Sequence, residues 1–215
     1  MDRSPKDRLT SISIYRNREQ KIYKIPIEEF EERVGIKYIH SLAFENPSLK
    51  EKLIKKSGKR LNRKGFRQMN AWTLALHQKE MEKSRGDLFY IRWINPYLGY
   101  GVFAAQDIAA LSYIGEYVGV VRKRSFRKYR FNDYVFGYAA AGKEIPYIID
   151  AKDQGNFARF INHNDEPTLT SRWVVKEGLT RIILFANQFI PKDKQLTYDY
   201  GDYYWRSRTN PSLLT

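Results

Sequence analysis

Apolar and polar positions along this chain follow two different periods, and the change comes near Gly86. Before it, Ile27, Phe30 and Val34 recur at helical spacing behind Pro26, with Glu28 and Glu29 opening the first turn and Gly35 just past the end. That combination predicts a short amphipathic helix, because proline suits a first turn, acids suit its positive end and glycine suits its exit. Asn46 and Pro47 form a second cap and first-turn pair, leading into Leu49, Leu53 and Ile54 and stopping near Gly58. Phe66, Met69, Trp72 and Leu76 fall on one stripe of a third predicted helix, from about Phe66 to Lys83. Residues 1–86 therefore read as a helical N-terminal segment.

After Gly86 the runs shorten, become rich in Tyr, Val, Ile and Phe, and are broken by Gly, Pro, Asn and Asp. Strands are predicted at Leu88 to Ile94, Tyr113 to Val121, Tyr134 to Ala139, Tyr147 to Ile149, Arg172 to Lys176, Arg181 to Phe189 and Leu196 to Tyr200. No helical segments of 10 to 15 residues alternate with them, so a parallel βαβ sheet is not expected. The class is α+β, with a many-stranded part over 87–201 and a short aromatic C-terminal segment over 202–215.

Composition adds that 42% of residues are apolar and 15% aromatic, enough to build a core in 215 residues. Cysteine is lacking, which removes disulfides, thiolate zinc sites and a cysteine nucleophile. No apolar run approaches the roughly 18 to 20 residues that span a bilayer, so a soluble protein without a membrane partner is expected.

The net charge of +14 is concentrated. Lys50 to Arg67 holds nine basic residues and one acid, and Arg122 to Arg130 holds six basic residues and none. These two segments account for the whole excess. Each is a solvated charged face or a place for phosphate contact.

The three histidines, His40, His77 and His163, are scattered, and no metal-site spacing, phosphate-binding loop or hydrolase anchor occurs. Gly99-Tyr100-Gly101 is a glycine pair without the third glycine of a dinucleotide fingerprint; alone it reads as a plain turn. Arg159-Phe160-Ile161-Asn162-His163-Asn164-Asp165-Glu166-Pro167 ends an apolar run on a polar pair and a turn. Gln195-Leu196-Thr197-Tyr198-Asp199-Tyr200-Gly201 is a strand with alternating tyrosines, continued by Asp202-Tyr203-Tyr204-Trp205.

Taken in order with Tyr113-Ile114-Gly115-Glu116-Tyr117-Val118-Gly119, Asn132-Asp133-Tyr134-Val135-Phe136, Ile149-Asp150-Ala151 and Gly155-Asn156, these motifs resemble the SET-domain protein lysine methyltransferases over about Arg92 to Trp205. The resemblance implies the SET fold, small curled β-sheets with a knot-like C-terminal threading of the Asn-His and Tyr-Asp-Tyr segments. It also implies S-adenosyl-L-methionine as cofactor, a lysine entering a narrow channel from the opposite face, and no metal. By position, Gly99, Tyr100, Gly101, Tyr134, Arg159, Asn162, His163 and Trp205 would hold the cofactor. Tyr200 would be the tyrosine at the transfer point, Tyr117 its aromatic partner, and Tyr198 the position whose hydroxyl favours low methylation states.

Two departures stand out. The usual Asn-His-Ser-Cys-x-Pro-Asn is Asn-His-Asn-Asp-Glu-Pro-Thr here, and the cysteine-rich zinc segments that flank many SET domains are missing. Tyr203, Tyr204, Trp205 and the residues to Thr215 are then the candidates to close the channel. The Cys-free core with a basic N-terminal part is similar to the nuclear-effector SET proteins of chlamydia-like intracellular bacteria. That similarity implies a histone or other DNA-associated basic protein as substrate, self-methylation, and a location in the bacterial cytoplasm or, after secretion, in a host nucleus. DNA contact through Lys50–Arg67 and Arg122–Arg130 would suit such a target. A non-catalytic nucleic-acid-binding or adaptor protein on the same scaffold is the alternative reading.

Overall fold

The computed structural model describes residues 9–140, 143–205 and 208. The chain starts with β1 (Ser11–Arg16), β2 (Lys21–Pro26), α1 (Ile27–Val34), β3 (Lys37–Tyr38), β4 (Ala43–Phe44), α2 (Pro47–Leu61) and α3 (Lys64–His77). It continues through β5 (Phe89–Asn95), β6 (Gly99–Ala104), β7 (Tyr113–Glu116), β8 (Val120–Lys123), α4 (Phe126–Tyr129), β9 (Val135–Ala140) and β10 (Lys143–Asp150). Then follow β11 (Gln154–Gly155), a 3₁₀ turn at Phe157–Phe160, β12 (Asn162–His163), β13 (Leu169–Lys176), β14 (Leu179–Ala186), β15 (Gln195–Tyr198) and α5 (Asp202–Trp205).

The strands form four small sheets, ordered β12-β15-β6-β5-β1-β2, β4-β8-β10-β9, β11-β3 and β13-β14-β7. The expectation of a helical segment over 1–86 is corrected here. Ser11–Arg16 alternates Ser-Ile-Ser-Ile, the period of a strand, and buries Ile12 and Ile14. It pairs with β2 in a hairpin and lies parallel to β5, Ile14 opposite Ile91. Further along, β3 pairs with β11 and β4 with β8. The N-terminal part thus supplies strands to three of the four sheets, and no structural boundary falls at residue 86.

The first helix forms as expected: Ile27 and Phe30 are buried, and Gly35 takes the left-handed conformation that lets its N–H bond Glu31 O. At the start of α2 the Asn46 side chain accepts from the Leu49 amide at 2.9 Å, an N-cap bond. The third helix stops at His77, short of Lys83, and turns the other way from the predicted stripe. Met69, Trp72 and Leu76 are exposed, whereas Asn70, Thr73 and His77 are buried.

The reason is a polar contact. Asn70 Nδ2 donates to Val175 O at 3.0 Å, and Val175 N donates to Asn70 Oδ1 at 2.6 Å. One amide side chain thereby satisfies both ladder groups on the outer edge of β13, an edge that would otherwise stand open. The predicted strand Tyr113 to Val121 is also corrected: it breaks at Tyr117–Gly119 into β7 and β8, which belong to different sheets.

Asn70→Ala should lower the unfolding free energy by about 2 to 4 kcal/mol, since a buried N–H and C=O both lose their partner. Urea unfolding measures this, and a loss under about 0.5 kcal/mol would show that water replaces the amide without cost.

Candidate functional site

The site is built where β12 and β15 run side by side. They pair in parallel, Asn162 opposite Thr197 and His163 opposite Tyr198. Two further bonds hold the chain just beyond β15: Tyr200 N donates to His163 Nδ1 at 3.2 Å, and Tyr200 Oη donates to Ile161 O at 2.9 Å. Because Nδ1 accepts, the His163 proton sits on Nε2, which donates to Asp165 Oδ1 at 2.9 Å. Asp165, one of the positions where this chain departs from the family pattern, therefore fixes the ring. Asn162 Nδ2 reaches across to Tyr100 O at 3.3 Å, tying β12 to β6.

From this anchor a row of rings runs inward. Tyr200 lies 4.8 Å from Tyr198, Tyr198 stacks on Phe136 at 5.8 Å, and Phe136 meets Tyr117 at 5.1 Å. Tyr117, the expected aromatic partner of Tyr200, is linked to it along this row by Phe136 and Tyr198 and is near enough to help raise the Tyr200 pKa. Phe136 was missed as a site residue, although its place two residues after Tyr134 puts it on the same face of an extended chain.

At the outer end, Tyr200 meets Tyr204 edge-on at 4.6 Å and stacks with Trp205 at 6.2 Å, while Trp205 lies 4.7 Å from His163. Tyr204 Oη and Arg208 Nε both donate to Asp133 Oδ1, which draws the C-terminal segment over the loop before β9. Of the residues expected to close the channel, Tyr204 and Trp205 pack against the Tyr200 ring. The Tyr203 side chain, residues 206–207 and residues 209–215 lie outside the described residues.

Tyr134 is held by its backbone. Its carbonyl accepts from Tyr117 Oη at 3.0 Å and from Ala151 N at 2.9 Å, and its amide donates to Asn132 Oδ1. Asn132 in turn donates to Asp150 Oδ1 at 2.9 Å. The Arg159 guanidinium sits 3.7 Å from the Tyr134 ring centre and donates to Ala151 O and Lys152 O. It braces Tyr134, with these two donors used within the chain. Asn156, quoted only as part of a motif, proves structural: it donates to Glu116 O and caps the 3₁₀ turn that carries Arg159.

The glycine pair opens β6 instead of forming a plain turn. Gly99 has φ 68°, in the left-handed region, and a Cβ on Gly101 would come within 2.6 Å of Ile94 Cδ1 and 3.0 Å of Gln195 Nε2. A cleft of about 320 Å³ beside Tyr100, between β1, β5 and α1, touches no other candidate residue and is separate from the tyrosine row.

Burial sets the electrostatics. Tyr117, Tyr198 and Tyr200 all have phenol pKa values raised well above the usual range, chiefly because burial penalises the phenolate, with neighbouring tyrosines adding to it. These hydroxyls are neutral hydrogen-bonding groups at physiological pH, unsuited to act as bases. Trp205 Nε1 is buried with no hydrogen-bond partner among the described residues. The arrangement can hold a flat or cationic group against aromatic faces and orient an amine at the Tyr200 oxygen, whose proton already points at Ile161 O.

Comparison with known proteins gives a family match and related sequences. Residues 99–201, just under half of the chain, match the SET domain family, and this stretch has the SET fold. The chain is 39% identical over 110 residues to "Histone-lysine N-methyltransferase, H3 lysine-36 specific" of Debaryomyces hansenii, covering 48% of this chain and 15% of that one. It is 36% identical over 113 residues to "Histone-lysine N-methyltransferase EHMT1" of Homo sapiens, covering 50% and 9%. Among solved structures, Arabidopsis thaliana SUVH6 in complex with SAM is similar at 28% identity and a TM-score of 0.47, covering 53% of this chain and 28% of that one. The chain spans less than a third of the length of the curated relatives it matches. Residues 99–201 are thus similar to the SET domains of histone-lysine methyltransferases.

The raised tyrosines predict an alkaline titration. In the unfolded chain they ionise near pH 10, but the folded protein holds them protonated, so stability is present below about pH 10 and falls as pH rises beyond it. Absorbance at 295 nm should show these phenols ionising only with unfolding. A phase at or below pH 10 that disappears in Tyr200→Phe would contradict the buried assignment.

Proposed function

We propose that the protein is an S-adenosylmethionine-dependent protein-lysine N-methyltransferase, with Tyr200 at the point of transfer. The observation that carries this reading is the tyrosine at residue 200, held by backbone and hydroxyl to the Asn-His segment and enclosed by Tyr198, Tyr204 and Trp205.

When bound, the cofactor would supply a sulfonium methyl for a neutral amine, a chemistry governed by orientation. The residues present fit it. Trp205 offers a buried donor unused among the described residues, Asn162 and the glycine pair bring β12 and β6 backbone together, and aromatic faces attract a sulfonium by about 0.5 to 2 kcal/mol each. Tyr100, Tyr134, Asn162, His163 and Trp205 would hold it.

The remaining work belongs to the channel. A lysine with a pKa of about 10.4 costs roughly 4 to 5 kcal/mol to deprotonate at pH 7. A dry aromatic channel next to a positive sulfonium lowers that cost by desolvation and like-charge repulsion. Tyr200 Oη, committed as a donor to Ile161 O, keeps its lone pairs for the amine N–H and so aims the nitrogen. No side chain of the row is suited to take the proton, which leaves to solvent.

The relatives' names, and the basic surface described below, support a histone or another DNA-associated basic protein as substrate, with self-methylation as a further activity. The cysteine-free chain supports placing it with the nuclear-effector SET proteins of chlamydia-like bacteria, acting in the bacterial cytoplasm or in a host nucleus.

Labelled methyl transfer from S-adenosylmethionine to histones, to the enzyme itself and to a bacterial lysate tests the proposal. Tyr200→Phe should lower transfer at least a hundredfold while S-adenosylhomocysteine binds within about threefold of wild type. Wild-type protein that labels none of the three would overturn it.

A further inference from the structure

The two basic segments lie more than fifty residues apart in the chain, yet the fold brings them together. On α2, Lys52, Lys55, Lys56 and Lys59 stand at i, i+3, i+4 and i+7, one side of the helix. The flank next to it, with Leu49, Leu53 and Ser57, is buried. The lysine side faces β10: Lys52 Nζ lies 6.0 Å and Lys56 Nζ 5.7 Å from the centre of the Tyr147 ring.

Tyr147 is opposite Lys123 in the antiparallel pairing of β10 with β8. Directly opposed residues project to the same face of a sheet, with Cβ atoms about 5 Å apart. Lys123 therefore shares the face of the Tyr147 ring and of the α2 lysines. Within five residues the chain then reaches Arg127 and Lys128 on α4, both exposed.

The other members of the second cluster are not all available. Arg122 points to the opposite face, where its guanidinium pairs with Asp150 at 3.3 Å and Glu45 at 3.9 Å. By contrast, Lys52, Lys55, Lys56, Lys59, Lys123, Arg127 and Lys128 make no ion pair among the described residues. Seven uncompensated cations on one surface repel one another, a cost removed when a polyanion covers them.

We propose that these two segments form one continuous surface that binds the phosphate backbone of a nucleic acid, with Tyr147 as the seam between them. The one large apolar side chain exposed on α2 among the described residues is Ile54, which sits by the turn at Gly178 and off the lysine side, whereas a helix that lies in a lipid surface inserts a whole apolar face. Unbroken lines of lysine and arginine suit a polymer with regularly spaced charge. The surface is distinct from the tyrosine row and acts without the cofactor, so its test does not depend on methyl transfer.

The test is binding of the full chain to a fluorescent 20-base-pair DNA duplex, with no cofactor present, between about 50 and 300 mM salt. Seven phosphate contacts predict a slope of log affinity against log salt of about −6, at about 0.9 per contact. Changing Lys52, Lys55, Lys56 and Lys59 together to Gln should flatten the slope by about 3 to 4. Arg127→Gln with Lys128→Gln should flatten it by about 2 on the same duplex. Apart from the half-buried Lys56, both variants replace exposed side chains, and both should keep the wild-type circular dichroism and melting temperature. A salt-independent affinity, a slope unchanged by either variant, or phosphatidylserine vesicles binding more tightly than the duplex would each overturn the proposal.

Discussion

The candidate site depends on one constraint, the closure of Tyr200 against Ile161 and His163. Its backbone N–H and its hydroxyl both bond to a segment nearly forty residues earlier, at His163 Nδ1 and Ile161 O. Each bond contributes only about 1 kcal/mol net, but a buried group left without its partner costs about 1 to 3 kcal/mol, so the arrangement resists partial opening. With residue 200 fixed, Tyr198 inside and Tyr204 and Trp205 outside take their places against its ring. The parallel pairing of β12 and β15 is what brings the two segments into reach.

Around this closure, buried polar groups do the positioning and aromatic rings supply the surface. Asn132, Asp150 and the Tyr117 hydroxyl hold the Tyr134 backbone, while Arg159 braces its ring. Asn156 caps the turn that carries Arg159, and its other contact is the backbone of Glu116. Glu116 itself is buried, its carboxyl pushed up by desolvation and partly drawn back by Arg181 at 3.2 Å. Such groups are costly unless paired, and their pairing ties sheets that share few residues.

Much of this was legible in the sequence, and the exceptions have physical reasons. The strands after Gly86 announce themselves by short β-branched and aromatic runs between turn residues, and α1 by Pro26 and Gly35. The strand β1 escaped although its hairpin partner β2 is close by, because a six-residue alternation is a weak signal beside long helical stretches. For α3 the apolar stripe misled, because the buried face is made of Asn70, Thr73 and His77, chosen by hydrogen bonding that periodicity cannot register. At the site, Tyr200, His163 and Asn162 could be named from motif order. The relay through Phe136 depends on how β9 lies against β15, which no local pattern carries.

The central claim is that a neutral, oriented Tyr200 and a dry channel replace a general base. The most direct measurement is the single-turnover rate of methyl transfer against pH, for wild type and Tyr200→Phe, on one peptide substrate. The account predicts a rate that rises through a single ionisation below the free lysine value of about 10.4. That inflection should persist in Tyr200→Phe at a lower plateau, because it belongs to the substrate amine. An inflection that vanishes with the hydroxyl would identify Tyr200 as the base and contradict the account.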